Sequence, residues 1–151
     1  MSRGAEPLVG RARFTTDGFD GEEQLNAWRE RLGPHFGMAD VDAVRSSATF
    51  RASMESVIVG TLALTEILSD AMTFERKRAH AERRHRDEFT VGVLVDGVAT
   101  AEQDGRRARI GAGEMIVCDN RRPFRLVFDR PFKQIIFHCD RVQLEARVPD
   151  D

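Results

Sequence analysis

The stretch 103–124, QDGRRARIGAGEMIVCDNRRPF, restricts the folds open to this chain more than any other. It packs successive reversals close together. Asp104-Gly105 accepts positive φ at both central positions of a tight hairpin turn. Gly111-Ala112-Gly113 supplies the next corner, and residues 119–123 the one after. The intervening segments, 107–110 and 114–118, have the length of ordinary strands. Strands this closely spaced, with Gly-rich corners, describe a small antiparallel barrel or jelly roll.

The flanking sequence continues the pattern. Phe50, Ala52 and Met54 alternate with Arg51, Ser53 and Glu55, a period-two face. Residues 57–68 read as a strand pair bent near Gly60, and 71–75 as a short strand after Ser69-Asp70. Residues 87–95 and 98–103 flank a second hairpin dipeptide, Asp96-Gly97. The last pair, 124–128 and 132–139, turns at residues 129–131. Roughly ten strands result, enough for two sheets to enclose an interior.

One helix stands ahead of them, over residues 20–33. Asp20 can cap it, Glu23 completes a capping box, and Gly33-Pro34 predicts its stop. Leu25, Trp28 and Leu32 share one face, so Trp28 either anchors the helix on the barrel wall or forms an aromatic floor for a ligand. Residues 1–11 show little periodicity and are expected to fray, leaving 12–151 as a single domain. Residues 142–148 read as the start of a further helix.

The pattern QDGRxAxxGxGExxxxDxxRPFxLxF over 103–128 resembles the effector-binding domain of AraC/XylS-type bacterial transcription regulators. Residues 14–37, FTTDGFDGEEQLNAWRERLGPHFG, are similar to the opening of that domain. The resemblance implies a mostly β, cupin-like double-stranded β-helix, a jelly-roll barrel with an N-terminal α-helix. It also implies a small-molecule effector, a regulatory rather than enzymatic role, and control of an attached DNA-binding module with two helix-turn-helix units. No such module is legible in these 151 residues. DNA is therefore expected to be contacted only through a domain that this sequence does not contain. A homodimer is compatible with such a domain.

Composition narrows the alternatives. At 151 residues the chain can bury roughly two thirds of its unfolded surface in one core. No apolar run reaches the ~20 residues of a membrane-spanning helix. Residues 1–10 lack the apolar core of a signal peptide, so a cytoplasmic location and no membrane partner are expected. Cys118 and Cys139 lie in apolar strand contexts and read as free thiols.

A cupin metal centre ordinarily needs a His-x-His pair, a following Glu and a third His on a later strand, all projecting inward. The histidines here are His35, His80, His85 and His138, with no such pair, so neither a metal nor another cofactor is expected. A metal-dependent isomerase or dioxygenase remains the alternative reading, and a dimerisation module with a filled barrel a further one. The basic run Arg76, Lys77, Arg78, Arg83, Arg84 and Arg86 is diluted by Glu75, Glu82, Asp87 and Glu88. It reads as a solvated segment with weak internal ion pairs, as a DNA-facing patch, or as a barrel-mouth lining that receives an anionic effector. In the last strand Gln134, Ile136 and His138 share one face, mixing polar and apolar groups as a ligand pocket does. Gln134 and His138 are thus the candidate polar wall residues; the alternative is that they bond neighbouring strands or solvent.

Operator recognition needs a helix whose side chains reach base edges in the major groove. The exposed positions of the one clear helix are Glu22, Glu23, Asn26, Arg29, Glu30 and Arg31, and the chain carries 23 Lys and Arg against 25 Asp and Glu. In a gel-shift assay at ~150 mM salt, residues 1–151 should therefore show no sequence-selective binding, and any low-salt association should vanish. Sub-micromolar, promoter-selective binding would make the barrel itself the DNA reader.

Overall fold

Eleven strands, counted among the described residues, stack as two antiparallel sheets. The computed structural model describes residues 9–35, 39–45, 47–60, 62–83 and 87–146, with the side chains of residues 9, 33–35 and 59 outside that description. In chain order the elements are β1 (Val9–Thr15), α1 (Gly21–His35), β2 (Asp40–Ala43), β3 (Ala52–Val59), β4 (Leu62–Ser69), β5 (Met72–Arg76) and α2 (Arg78–Arg83). There follow β6 (Glu88–Asp96), β7 (Val98–Gln103), β8 (Arg106–Gly111), β9 (Met115–Asp119), β10 (Phe124–Phe128), β11 (Phe132–Asp140) and α3 (Arg141–Glu145). A six-stranded sheet runs β1-β3-β4-β11-β6-β9, and a five-stranded sheet runs β2-β5-β10-β7-β8. The architecture is cupin-like, built from two facing sheets rather than one continuous barrel.

Alternation decides which side chains meet between the sheets. Met72 and Phe74 of β5, and Phe124, Leu126 and Phe128 of β10, face Met54, Ile67, Phe132 and Ile136 from the six-stranded sheet. Phe128 stacks on Phe132 with centroids 3.7 Å apart. Polar residues on the inner rows are paired where the register allows it. Ser56 lies opposite Thr65 across β3 and β4, and their hydroxyls bond at 2.9 Å. The expected hairpin at Asp104-Gly105 forms with φ of 54° and 72°, a turn only such residues accept readily. Cys118 is buried and Cys139 half-buried, both free, and burial pushes the Cys118 thiol up to about 12.

Helix α1 is fixed by a buried polar knot and one aromatic residue. The Thr16 hydroxyl donates to the Phe50 carbonyl at 3.0 Å and accepts from the Ala52 N–H at 3.0 Å. The Gln24 amide donates to the Thr16 carbonyl and accepts from the Phe50 N–H. One helical turn on, the Trp28 ring is fully buried, stacks on Phe14 at 6.3 Å, and directs its N–H to the Met72 sulfur at 3.4 Å. Leu32 completes the buried stripe.

Several elements differ from expectation. Residues 9–11, expected to fray, belong to β1, which pairs with β3 from Val9↔Val59 to Thr15↔Ser53; residues 1–8 lie outside the described residues. Helix α1 passes Gly33-Pro34 and ends at His35: a proline forfeits one helical hydrogen bond in a last turn, which displaces the stop by little. The short edge strand β2 was not anticipated, because Asp40 and Asp42 interrupt its apolar character. The basic run divides between the end of β5 and α2, with residues 84–86 outside the described residues.

Truncating Trp28 to Ala removes the largest fully buried side chain and strands its neighbours around a void. The substitution should cost about 3 kcal/mol, seen as a lowered denaturation midpoint. An unchanged melting temperature, with Trp28 emission typical of water exposure in the parent protein, would show that α1 is undocked.

Candidate functional site

Strand β11 is the element from which the site is built. It pairs with β4 on one side and β6 on the other, with a register irregularity between Lys133 and Gln134. Its inward row is Phe132, Gln134, Ile136 and His138. The first three are buried and His138 is half-buried.

Gln134 lines a cavity of about 30 Å³ between the sheets, together with Leu32, Ile67, Met72, Phe74, Thr90, Phe124, Leu126, Phe128 and Ile136. That volume is about the share of one water molecule in the liquid. Gln134 is 3% exposed and makes no side-chain hydrogen bond to a described residue; since no fully buried side-chain nitrogen or oxygen among the described residues lacks a partner, its amide keeps access to the cavity space. Room for the amide comes from Gly92 on β6: a Cβ there would stand 1.9 Å from Gln134 Nε2. Any side chain at position 92 would evict it.

Beyond the cavity the interior turns polar. The Thr90 hydroxyl donates to Asn120 Oδ1 at 2.6 Å and lies 3.1 Å from His138 Nδ1. With the only hydroxyl proton given to Asn120, the second contact is satisfied by the His138 tautomer that carries hydrogen on Nδ1. Glu88 Oε1 lies 3.8 Å from the same nitrogen. From the opposite sheet Arg76, buried at 3% exposure, donates through Nε to the Asn120 carbonyl at 3.0 Å. Burial lowers the Arg76 pKa, and the charge of Glu88 opposes that shift.

Asn120 joins this interior to the surface where α3 departs. Its neighbour Asp119 accepts from Arg141 at 2.5 Å, and Arg141 also donates to Asp87 at 2.6 Å and lies 4.4 Å over the Phe89 ring. Partial burial pushes the Asp119 carboxyl up. The Arg121 backbone N–H and the Arg141 and Arg121 guanidiniums outweigh it, and the carboxyl sits below its ordinary range.

The sequence candidates thus separate. Gln134 lines the cavity, whereas His138 stands at its polar end without forming its wall. Trp28 also stays outside the lining and packs as a helix anchor, with Leu32 of the same helix reaching the cavity instead. Arg76, in a basic run read from sequence as a solvated segment, a DNA-facing patch or a barrel-mouth lining, is an inward residue following Met72 and Phe74 at period two. The short strand 71–75 stopped one residue too early to show it. Lys77 is a surface group paired with Asp40 at 2.9 Å. Gly92, Thr90 and Asn120 were missed; a glycine inside an apolar strand was the available sign of a close approach. His80 sits near Asp40 at 3.7 Å, and the side chains of His35 and His85 lie outside the described residues. Among the described residues, no three His, Cys, Asp or Glu side chains group as metal ligands, and no helix is long and apolar enough to cross a membrane.

Comparison with known proteins agrees with this architecture. The chain is 30% identical over 127 residues to an uncharacterized protein in the nit 5′ region of Bacillus sp. (strain OxB-1), covering 84% of this chain and 49% of that protein. Its fold is similar to the crystal structure of the AraC-like transcriptional activator CuxR, with a TM-score of 0.75 at 22% identity over 85% of this chain and 46% of that one. The chain spans about half the length of either relative. A weaker likeness is to the cupin domain of Schizosaccharomyces pombe Cnp3, with a TM-score of 0.46 at 9% identity over 71% of this chain and 82% of that one. The family described as the AraC-binding-like domain matches residues 28–151, and the chain belongs to it.

Proposed function

We propose that this domain senses a small effector held between its two sheets and passes occupancy to the segment leaving through α3, so controlling an attached helix-turn-helix module. The observation that carries the reading is the Gln134 amide, which faces an otherwise apolar cavity and makes no hydrogen bond to a described residue. A bound molecule that hydrogen-bonds to it gains a directed contact on an otherwise apolar wall. The AraC-type family supports a regulatory role over an enzymatic one.

A route to the exit exists in the hydrogen bonds. Thr90 lines the cavity and holds Asn120, and Asp119 beside it holds Arg141 at the first position of α3. An effector that moves Thr90 therefore moves the group on which α3 is fastened. It shifts the balance only through unequal affinity for the two arrangements.

One observation favours a second reading. A cavity of about 30 Å³ is far below the ~300–1,000 Å³ of ordinary ligand pockets. Taken at rest, the interior is filled by its own side chains, as a dimerisation module without a ligand would be.

A thermal-shift screen of sugars, carboxylates and neutral aromatics separates the two. At a hundred times its Kd a ligand adds about 2.7 kcal/mol, which for a domain of this size raises Tm by roughly 5–10 °C. Sensing predicts a hit whose shift disappears when Ile136→Trp blocks the cavity. A filled module gives no hit in any class and a stable dimer by light scattering. Separately, Asp119→Asn should speed amide exchange across residues 141–146 while the sheets stay protected. Equal exchange in both proteins would show that Asp119 does not fasten α3.

A further inference from the structure

We infer that the site takes a small, neutral, mainly apolar molecule bearing one group that both donates and accepts a hydrogen bond, and that it rejects sugars and free carboxylates. This deepens the sensing reading above and rests on it.

The wall composition sets the class. Eight of the ten lining residues are Leu, Ile, Met or Phe, the other two are Thr90 and Gln134, and none is charged. The Thr90 hydroxyl is already engaged by Asn120 and His138. That leaves the Gln134 amide, one carbonyl acceptor beside one N–H₂ donor, as the polar group of the wall with no hydrogen bond to a described residue. An amide so placed is matched by another group with donor and acceptor side by side, which a primary carboxamide supplies. A sugar would bring several hydroxyls to a wall with one partner for them, and each unmet group stays desolvated.

The nearest cation does not change this conclusion. Arg76 is the next inward residue of β5 after Phe74, but it lies outside the lining, bonds the Asn120 carbonyl, and feels the charge of Glu88. A carboxylate in the cavity would lose its hydration without a facing positive charge, a far larger cost than for a neutral group.

Size limits the class further. A cavity of roughly 150 Å³ admits benzene, so the wall must yield on the order of 100 Å³ even for a single ring. Met72, unbranched and flexible, and Leu32, carried on α1 rather than on a sheet, are the lining side chains freest to give way. The molecule is then no larger than one ring or a short chain.

Three probes of nearly one shape test the class by calorimetry and by melting of the 151-residue protein: benzamide, toluene and benzoate. Benzamide should bind about tenfold or more tighter than toluene, since toluene leaves Gln134 unpaired. Benzoate should give no measurable heat and no rise in Tm. Gln134→Met, close in volume, should abolish the preference and bring toluene level with benzamide. The comparison of the three probes on the unaltered protein stands even if that variant unfolds. Benzoate or a sugar binding as well as benzamide overturns the inference, as does a benzamide preference that survives Gln134→Met. Failure of all three probes also overturns it. In that case a hit from another chemical class leaves the sensing reading standing, and silence across every class removes both.

Discussion

The position of β11 in the middle of the six-stranded sheet is the constraint on which the rest of this domain depends. It is the last strand among the described residues, yet it pairs with β4 on one side and β6 on the other, so the sheet cannot be completed until residues 132–140 are present. Such long-range pairing carries the entropy of closing large loops before its contacts form. In return, one strand sets the interior. Its inward row runs from Phe132, stacked on Phe128 of the opposite sheet, through Gln134 in the cavity, to His138 in the polar end. A slip of one residue would exchange that row for Lys133, Ile135 and Phe137, placing a lysine between the sheets.

Helix α1 depends on the same interior from outside it. Trp28 reaches Met72 and Leu32 reaches the cavity, so the helix is seated by side chains that share neighbours with Gln134. The polar knot of Thr16, Gln24 and Phe50 holds the helix entrance independently of that packing. The helix therefore has one end fixed by directional bonds and the other resting on a deformable apolar surface. An expansion of the cavity would be felt at Leu32 long before it disturbed Gln24.

Most of the strand pattern was legible because hairpin turns carry strong local chemistry. Val98–Gln103 and Phe124–Phe128 begin and end where alternation and turn dipeptides placed them. Elements defined by distant pairing were harder to see. Strand β1, VGRARFT, interrupts its apolar residues with Gly10, Arg11 and Arg13, and it is a strand because β3 offers it an edge. The family match, over residues 28–151, contains the stretch 103–128 that carried the resemblance and takes in only the end of the supporting stretch 14–37. Period two placed Gln134 on the inward row of β11, and there it lines the cavity. The same period would have turned Arg76 inward had the strand been carried one residue further. Nothing in the sequence places Asn120 beside Thr90, since a residue after a strand has no face until the loop is built.

The small volume of the interior has a consequence for how such a domain can respond. A ligand that needs more room than the resting cavity offers binds only the opened state, and its apparent affinity falls by the fraction of molecules in that state. The opening is resisted by packed phenylalanines on both sheets, Phe74 and Phe124 at 5.9 Å and Phe128 on Phe132 at 3.7 Å. Interiors packed to this density switch between discrete arrangements instead of swelling gradually. The free energy withheld from binding is thus the free energy stored in the change of shape. A roomy cavity would bind more tightly and report less. Thr90 on the cavity wall bonds Asn120, and Asp119 beside it bonds Arg141 at the base of α3, so hydrogen bonds run from the cavity wall to that helix.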